Sequence, residues 1–187
     1  MIVLGDIQIR SALLARLGRM SHRPSALIEE LRVHNGSAIA DVVAIYKEAH
    51  CYEIKGDADK IERAISQAAY YDLAFRKITL VTTERHANKA IRVIPAHWGV
   101  MIAREVSGVV VLRGARSSKN SPFFDKKTAL MTLWRTELSD VAEGLNIQVA
   151  AKANRDNISN SIAGIMGREE LSLAISAKLA QRKLGFL

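Results

Sequence analysis

Three residues within one short stretch have the types and spacing to do chemistry together: Asp41, Glu53 and Lys55. Asp41 lies inside the apolar run IADVVAIY (39–46), and Glu53 and Lys55 close the run HCYEIK (50–55). Both runs read as strands, the first β-branched and apolar enough for the middle of a sheet. If Lys47-Glu48-Ala49 turns the chain between them, Tyr46 lies opposite His50, Val43 opposite Glu53 and Asp41 opposite Lys55. Side chains alternate faces along a strand, so both carboxylates and the ammonium share one face. Hard oxygen donors at such a point suit Mg²⁺ or Mn²⁺, which bind through one or two carboxylates and keep several waters. The carbonyl of Ile54 is a further candidate ligand. A metal held there generates hydroxide for in-line attack on a phosphodiester, and Lys55 would orient the water or hold charge on the phosphate.

The plain alternative is a solvated face that happens to carry an Asp and a Glu-x-Lys. Two features weigh against it. An unpaired carboxylate inside an apolar strand is costly to bury. Gln67 and Tyr71, four residues apart, also share one face of the helix expected to follow.

The surrounding elements follow from periodicity and punctuation. Asp6 is expected to cap a helix carrying Ile9, Leu13, Leu14 and Leu17, broken by the segment 18–24. The run 26–33 (ALIEELRV) predicts a first strand, ended by Asn35-Gly36. Asp59, with Glu62 three residues on, is expected to cap a helix with Ile61, Ile65, Ala68 and Phe75 on one side, ending near Arg76. A strand over 77–82, a helix over 84–94 stopped by Pro95, and strands over 99–104 and 108–113 complete the mixed part. From Gly114 the strand signal stops. Ser121-Pro122 predicts a helix start, with Leu130, Trp134, Leu138 and Val141 at helical spacing. Helices over about 156–166 and 168–184 close the chain.

Size and composition bound the class. The 187 residues, 49% hydrophobic and 25% charged, support one ordinary domain with a small appendage. The formal charge of +8 favours polyanionic partners. Cys51 is the single cysteine, so no intramolecular disulfide can form and a reducing, cytoplasmic setting is expected. No apolar run approaches the roughly 18 residues of a membrane span, and the N-terminus lacks the plan of a signal peptide.

Asp41, Glu53-Ile54-Lys55 and Gln67-x-x-x-Tyr71 together resemble the PD-(D/E)XK superfamily of restriction-endonuclease-like nucleases. The Gln-x-x-x-Tyr element is similar to that of RecB-like exonucleases. The longer run from EEL (29–31) through IPAHWGVMIA (94–103) resembles a bacterial and prophage family within that superfamily, and the likeness extends over most of 6–185. The resemblance implies an α/β fold, a restriction-endonuclease-like mixed central sheet flanked by helices. It implies a Mg²⁺- or Mn²⁺-dependent nuclease acting on DNA rather than RNA, in repair, recombination or phage–host conflict. Asp41 and Glu53 become metal ligands, Lys55 the catalytic lysine, and Gln67 and Tyr71 the supporting helix motif. The preceding acidic residue is Glu30 or its neighbour Glu29, with Glu30 preferred. Ala40 stands where the motif's name has Pro, and Gly56 where Ser is expected. A non-cleaving regulator or inhibitor that reuses the fold is the second expectation.

The expected division is a nuclease-like core over 1–112, a basic linker over 113–122 and a helical C-terminal subdomain over 123–187. The stretch from LWRTEL (133–138) to IM (165–166) loosely resembles a SAP-like, DNA-binding helix–loop–helix. Arg113, Arg116 and Lys119 before it and Lys152 and Arg155 within it are candidate nucleic-acid contacts. The alternative is that these helices merely cover an apolar face of the core. The five histidines show no metal-ligand spacing, and Trp98 and Trp134 read as core anchors rather than base-stacking platforms. A nuclease cutting two strands would have reason to form a homodimer, although no interface is legible.

Overall fold

The computed structural model describes residues 3–185; Met1, Ile2, Phe186 and Leu187, the outer ends of the two expected domains, lie outside the described residues. Six strands form one mixed sheet in chain order: β1 (Ala26–Val33), β2 (Ala38–Ile45), β3 (Ala49–Lys55), β4 (Lys77–Thr83), β5 (Gly99–Val106) and β6 (Val109–Arg116). The pairs β1–β2, β2–β3 and β5–β6 are antiparallel, while β3–β4 and β4–β5 are parallel. The parallel steps need crossovers, supplied by α2 (Ile61–Ala74) and α3 (Glu84–Val93). Both step the same way across the sheet, which puts both helices on one face.

That face carries the larger core. Cys51, Ile78, Leu80 and Val100 of the sheet pack with Tyr71 of α2, Ala90 of α3 and Trp98. The same cluster continues into the C-terminal helices α4 (Lys126–Leu130), α5 (Arg135–Gly144), α6 (Arg155–Ile165) and α7 (Arg168–Leu184), through Leu130, Leu138, Ile162 and Leu171. These helices therefore share their apolar core with the sheet. The opposite face is covered by α1 (Asp6–Arg19), whose Ile9, Leu13 and Leu17 bury Val42, Tyr52, Ile54 and Val81. No helix among the described residues is long and apolar enough to cross a membrane.

Several expected boundaries move, each for a local reason. Gly5, not Asp6, is the N-cap of α1, and the Asp6 carboxylate binds Arg10 one turn on. Lys60, not Asp59, precedes α2, because Asp59 accepts the Gly56 N–H at 2.8 Å; Ile65 on that helix is exposed. The β5–β6 turn is Ser107-Gly108, both left-handed (φ 51° and 82°), so β6 runs on to Arg116 and takes in the first part of the expected linker. The first helix after Ser121-Pro122 begins only at Lys126, behind an Asp125 cap, and Trp134 stands between two helices rather than within one.

The β2–β3 register is the correction that matters most. Val43 faces Cys51 and Ile45 faces Ala49, so the turn is Tyr46-Lys47-Glu48, and the pairing is two residues away from the expected one. Tyr46 leaves the ladder to stack on His22, and the Glu48 carboxylate is tied to Arg76 (3.0 Å) and Ser172 (2.8 Å). A slip of one residue would turn every side chain over, whereas a slip of two preserves the faces. Asp41 thus moves from Lys55 to Glu53.

Candidate functional site

The β1–β2 ladder pairs Glu29 with Val42 and Leu31 with Ala40 but breaks at Glu30 and Asp41. Glu30 has a left-handed φ of 55° inside a strand. The break offsets the side-chain alternation: Ala38 and Ala40 face the larger core before it, Val43 and Ile45 after it. Asp41 therefore stands at a fork between the two faces rather than on one of them. Such bends re-aim a side chain at the cost of local strain.

Into that fork Asp41 turns its carboxylate. Oδ2 accepts the Ile54 N–H of β3 at 2.7 Å, and Oδ1 accepts from Arg10 at 3.2 Å. Glu53 and Lys55 are both buried and joined by an ion pair from Lys55 Nζ to Glu53 Oε1. Glu53 is only 1% exposed, and its other oxygen, Oε2, is buried with no hydrogen-bond partner. Burial first, and then the charge of Asp41, push the Glu53 carboxyl up to about 7, against the pull of Lys55. Burial also raises the Asp41 carboxyl, opposed by the Ile54 N–H and by Lys55 and Arg10. Ile54 contributes its N–H, and its side chain is buried under α1.

Gln67 and Tyr71 reach Glu53 from α2. With its amide turned so that both ends are satisfied, Gln67 donates to Glu53 Oε1 at 2.9 Å and to the Arg63 carbonyl at 3.2 Å. Tyr71 is fully buried, and its hydroxyl donates to the Ile39 carbonyl at 2.7 Å. A phenol has one proton to give; with it on the Ile39 carbonyl Tyr71 braces β2, although its hydroxyl also lies close enough to the Glu53 carboxylate to interact with it.

Arg10 is the residue that sequence reasoning missed. Its guanidinium holds Asp6 (3.0 Å) and the carbonyl of Asp41 (3.0 Å) as well as Oδ1, and lies 3.8 Å from Glu29 and 4.0 Å from Glu30. The Asp6–Arg10 spacing of one helical turn was the available signal. The end of β3 sets α1 in place. Asp57 accepts the Leu4 N–H and donates its own N–H to the Leu4 carbonyl, both at 2.8 Å. Gly56 lets this happen, because a Cβ there would meet the Leu4 carbonyl at 2.6 Å. The expected Ser would collide, which accounts for the departure.

Glu30 and Glu29 are not equivalent to Asp41. Their side chains are 74% and 48% exposed, and both meet the site only through Arg10. The basic candidates occupy separate places. Arg116 is committed to the carbonyls of Trp98 (2.7 Å), Pro95 (2.9 Å) and Ile91 (3.2 Å), where it ties off the end of α3. Arg113, Lys119 and Lys152 are exposed, while Arg155 is half-buried and donates to the Met131 carbonyl. Trp98 is a core anchor at 0% exposure, but Trp134 is 48% exposed, against expectation.

One buried carboxylate with an unanswered oxygen and one half-buried carboxylate beside it are a donor set that fits a small hard cation with water in its other positions. Among the described residues, no three His, Cys, Asp or Glu side chains come close enough to hold an ion by themselves.

A family model described as "Bacteriophage P4 protein cII" matches residues 4–185. A curated relative, "Protein cII" of Enterobacteria phage P4, is 23% identical over 155 residues, which are 82% of this chain and 59% of that protein. The chain thus spans about three-fifths of that relative's length. Among solved structures, "SPO1766 protein of unknown function from Silicibacter pomeroyi" aligns with a TM-score of 0.48 at 16% identity, over 78% of this chain and 94% of that one.

Proposed function

The chain belongs to the bacteriophage P4 protein cII family, and for this member we propose a divalent-metal-dependent nuclease on a restriction-endonuclease-like core. The observation that carries this reading is the buried Glu53 carboxylate, with one oxygen on Lys55 and the other on nothing, beside Asp41. A native fold seldom leaves such an acceptor empty unless something arrives to fill it.

Asp41 and Glu53 would hold Mg²⁺ or Mn²⁺, with the Ile54 carbonyl and Glu30 as the further ligands the motif suggests. The bound ion would supply Lewis acidity and a water acidified toward neutral pH. The chain's own groups do the rest. Lys55, desolvated against Glu53, puts a positive charge where a phosphate becomes more negative. Gln67 fixes the rotamer of Glu53, Tyr71 fixes the neighbouring strand, and the Ile54 N–H fixes Asp41. The substrate class is nucleic acid, DNA before RNA, and the setting repair, recombination or phage–host conflict.

A second reading, a protein that binds nucleic acid without cutting it, draws on Arg10. A fixed internal cation already bonded to Asp41 neutralises the carboxylate that a metal would need. The two readings separate in one assay. Linear, circular and single-stranded DNA and RNA are incubated with Mg²⁺, Mn²⁺ or EDTA, with Asp41→Ala and Lys55→Ala proteins alongside. Metal-dependent cleavage lost in both variants supports the nuclease. Folded wild-type protein that cuts none of these substrates with either metal overturns it in favour of the binder.

A further inference from the structure

Beside the carboxylates lies a cleft of about 470 Å³ between the β1–β2 corner and the C-terminal helices. Its walls include Glu30, Arg32, Asn35, Trp134, Arg155 and Arg182. Arg182 stacks its guanidinium 4.2 Å from the centre of the Trp134 ring. Its two bonds to Glu137 and a third to the Thr132 carbonyl hold that stack in place. The indole is thus a braced aromatic surface, half exposed, in a chain whose other tryptophan is wholly buried.

Arg155 adds a half-buried guanidinium. One end of its guanidinium binds the Met131 carbonyl, and its Nε is buried with no partner. Exposed Arg32 adds a second cation on the opposite wall. An aromatic face next to two guanidinium groups matches a base and its phosphate, the pairing by which single strands are held without sequence preference. Glu30 belongs both to this wall and to the surroundings of Arg10, 4.0 Å away, and Arg10 in turn holds Asp41. Glu30 thus links this wall, through Arg10, to the surroundings of Asp41.

We propose that this cleft is a nucleotide subsite for single-stranded nucleic acid, with a base against Trp134 and its phosphate on Arg155 and Arg32. A strand seated there runs toward Asp41 and Glu53. That last step rests on the nuclease reading, whereas occupancy of the cleft does not.

The test uses the whole protein in EDTA, so that binding is read without cleavage. A short fluorescein-labelled oligothymidylate reports affinity by anisotropy, and the same sequence unlabelled reports quenching of tryptophan emission. With Trp98 buried, quenching reports Trp134. Binding with quenching is expected, weakened about tenfold or more in Trp134→Ala and several-fold in Arg155→Gln and Arg32→Gln. Thermal melts accompany each variant, and the exposed Arg32→Gln protein keeps the test decisive should the Trp134 or Arg155 variant fail to fold. Duplex of the same length is expected to bind more weakly, and thymidine monophosphate to compete only poorly. Binding without quenching, equal affinity for duplex, or unchanged affinity in folded variants would overturn the subsite. Binding that obeys these expectations in a protein that never cleaves leaves the subsite standing and removes the nuclease reading alone.

Discussion

Asp72 and Glu53 are both buried carboxylates, at 5% and 1% exposure, yet they are finished to different degrees. Asp72 Oδ1 takes the indole N–H of Trp98 and the imidazole of His97, both at 2.7 Å, while Ser121 bonds to the Asp72 carbonyl at 3.0 Å. It ties α2 to the start of β5 and to the segment that leads into the C-terminal helices. Glu53 has Lys55 and Gln67 on one oxygen and nothing on the other. Burial alone does not separate a structural carboxylate from a working one. The second oxygen does. The bonds to the Asp72 carboxylate also fall on one oxygen. Of the two residues, however, Glu53 alone has an oxygen both sealed from water and without a partner, which costs free energy that a folded chain would otherwise shed.

The sharpest break is an exchange of roles. The double change Glu53→Gln with Lys55→Met removes both members of the buried ion pair together, so cleavage is expected to fall at least about a hundredfold while resistance to urea is unchanged or higher. Asp72→Ala is expected to do the reverse. It strands the buried indole N–H of Trp98 and removes the partner of the half-buried His97 ring, and should cost about 2 kcal/mol of stability, with cleavage per folded molecule nearly intact. Parallel urea titrations and cleavage rates check both. Loss of stability in the double variant, or loss of activity alone in the Asp72 variant, would erase the distinction.

A third, smaller effect concerns the cation already in place. Arg10→Ala leaves Asp6, Asp41, Glu29 and Glu30 without their shared guanidinium. The variant is expected to lose about 1.5 kcal/mol in EDTA and to recover more of its melting temperature on adding Mn²⁺ than the wild type gains. Equal responses of the two proteins to Mn²⁺ would mean that Arg10 and a metal do not compete for Asp41.

The completed parts of the molecule were the more legible ones. The first strand was read to its true ends, and every strand and most helices were located, because apolar alternation and turn residues report burial directly. The grouping of Asp41 with Glu53 was reached through a register two residues off, and the fork at Glu30 and Asp41 was not foreseen. A left-handed φ at a glutamate leaves no mark in composition. Arg10 was missed because its partners come from one helix and two strands, and a charge on a helix face ordinarily meets water. The glycine at 56, where Ser is expected, has its reason in the approach of Leu4 from a distant part of the chain, which local spacing does not show. Trp134 looked like an anchor because spacing alone cannot show that the helix breaks at that residue.

The smallest expected effect is the wild type's own dependence on pH, since two groups on β3 oppose each other there. The Glu53 carboxyl is raised to about 7 from 4.5, so folding favours its protonated form. Its contribution is fully present below pH 4.5 and is lost as the pH climbs through about 7. His50 is held down to about 4 from 6.5, burial being the main cause, with Thr79 2.8 Å from its ring nitrogen. Its neutral form is the favoured one, so its contribution is full above pH 6.5 and is lost as the pH falls toward about 4. Between pH 4.5 and 6.5 the two slopes have opposite signs, and stability in EDTA is expected to be nearly flat. Removing either group should expose the other: Glu53→Gln should grow more stable as the pH rises through that window, and His50→Gln less stable. Urea midpoints at its two ends decide the matter. Profiles in both variants as flat as the wild type's would show that Lys55 keeps Glu53 ionised throughout, and that the unanswered oxygen belongs to a carboxylate that never takes a proton.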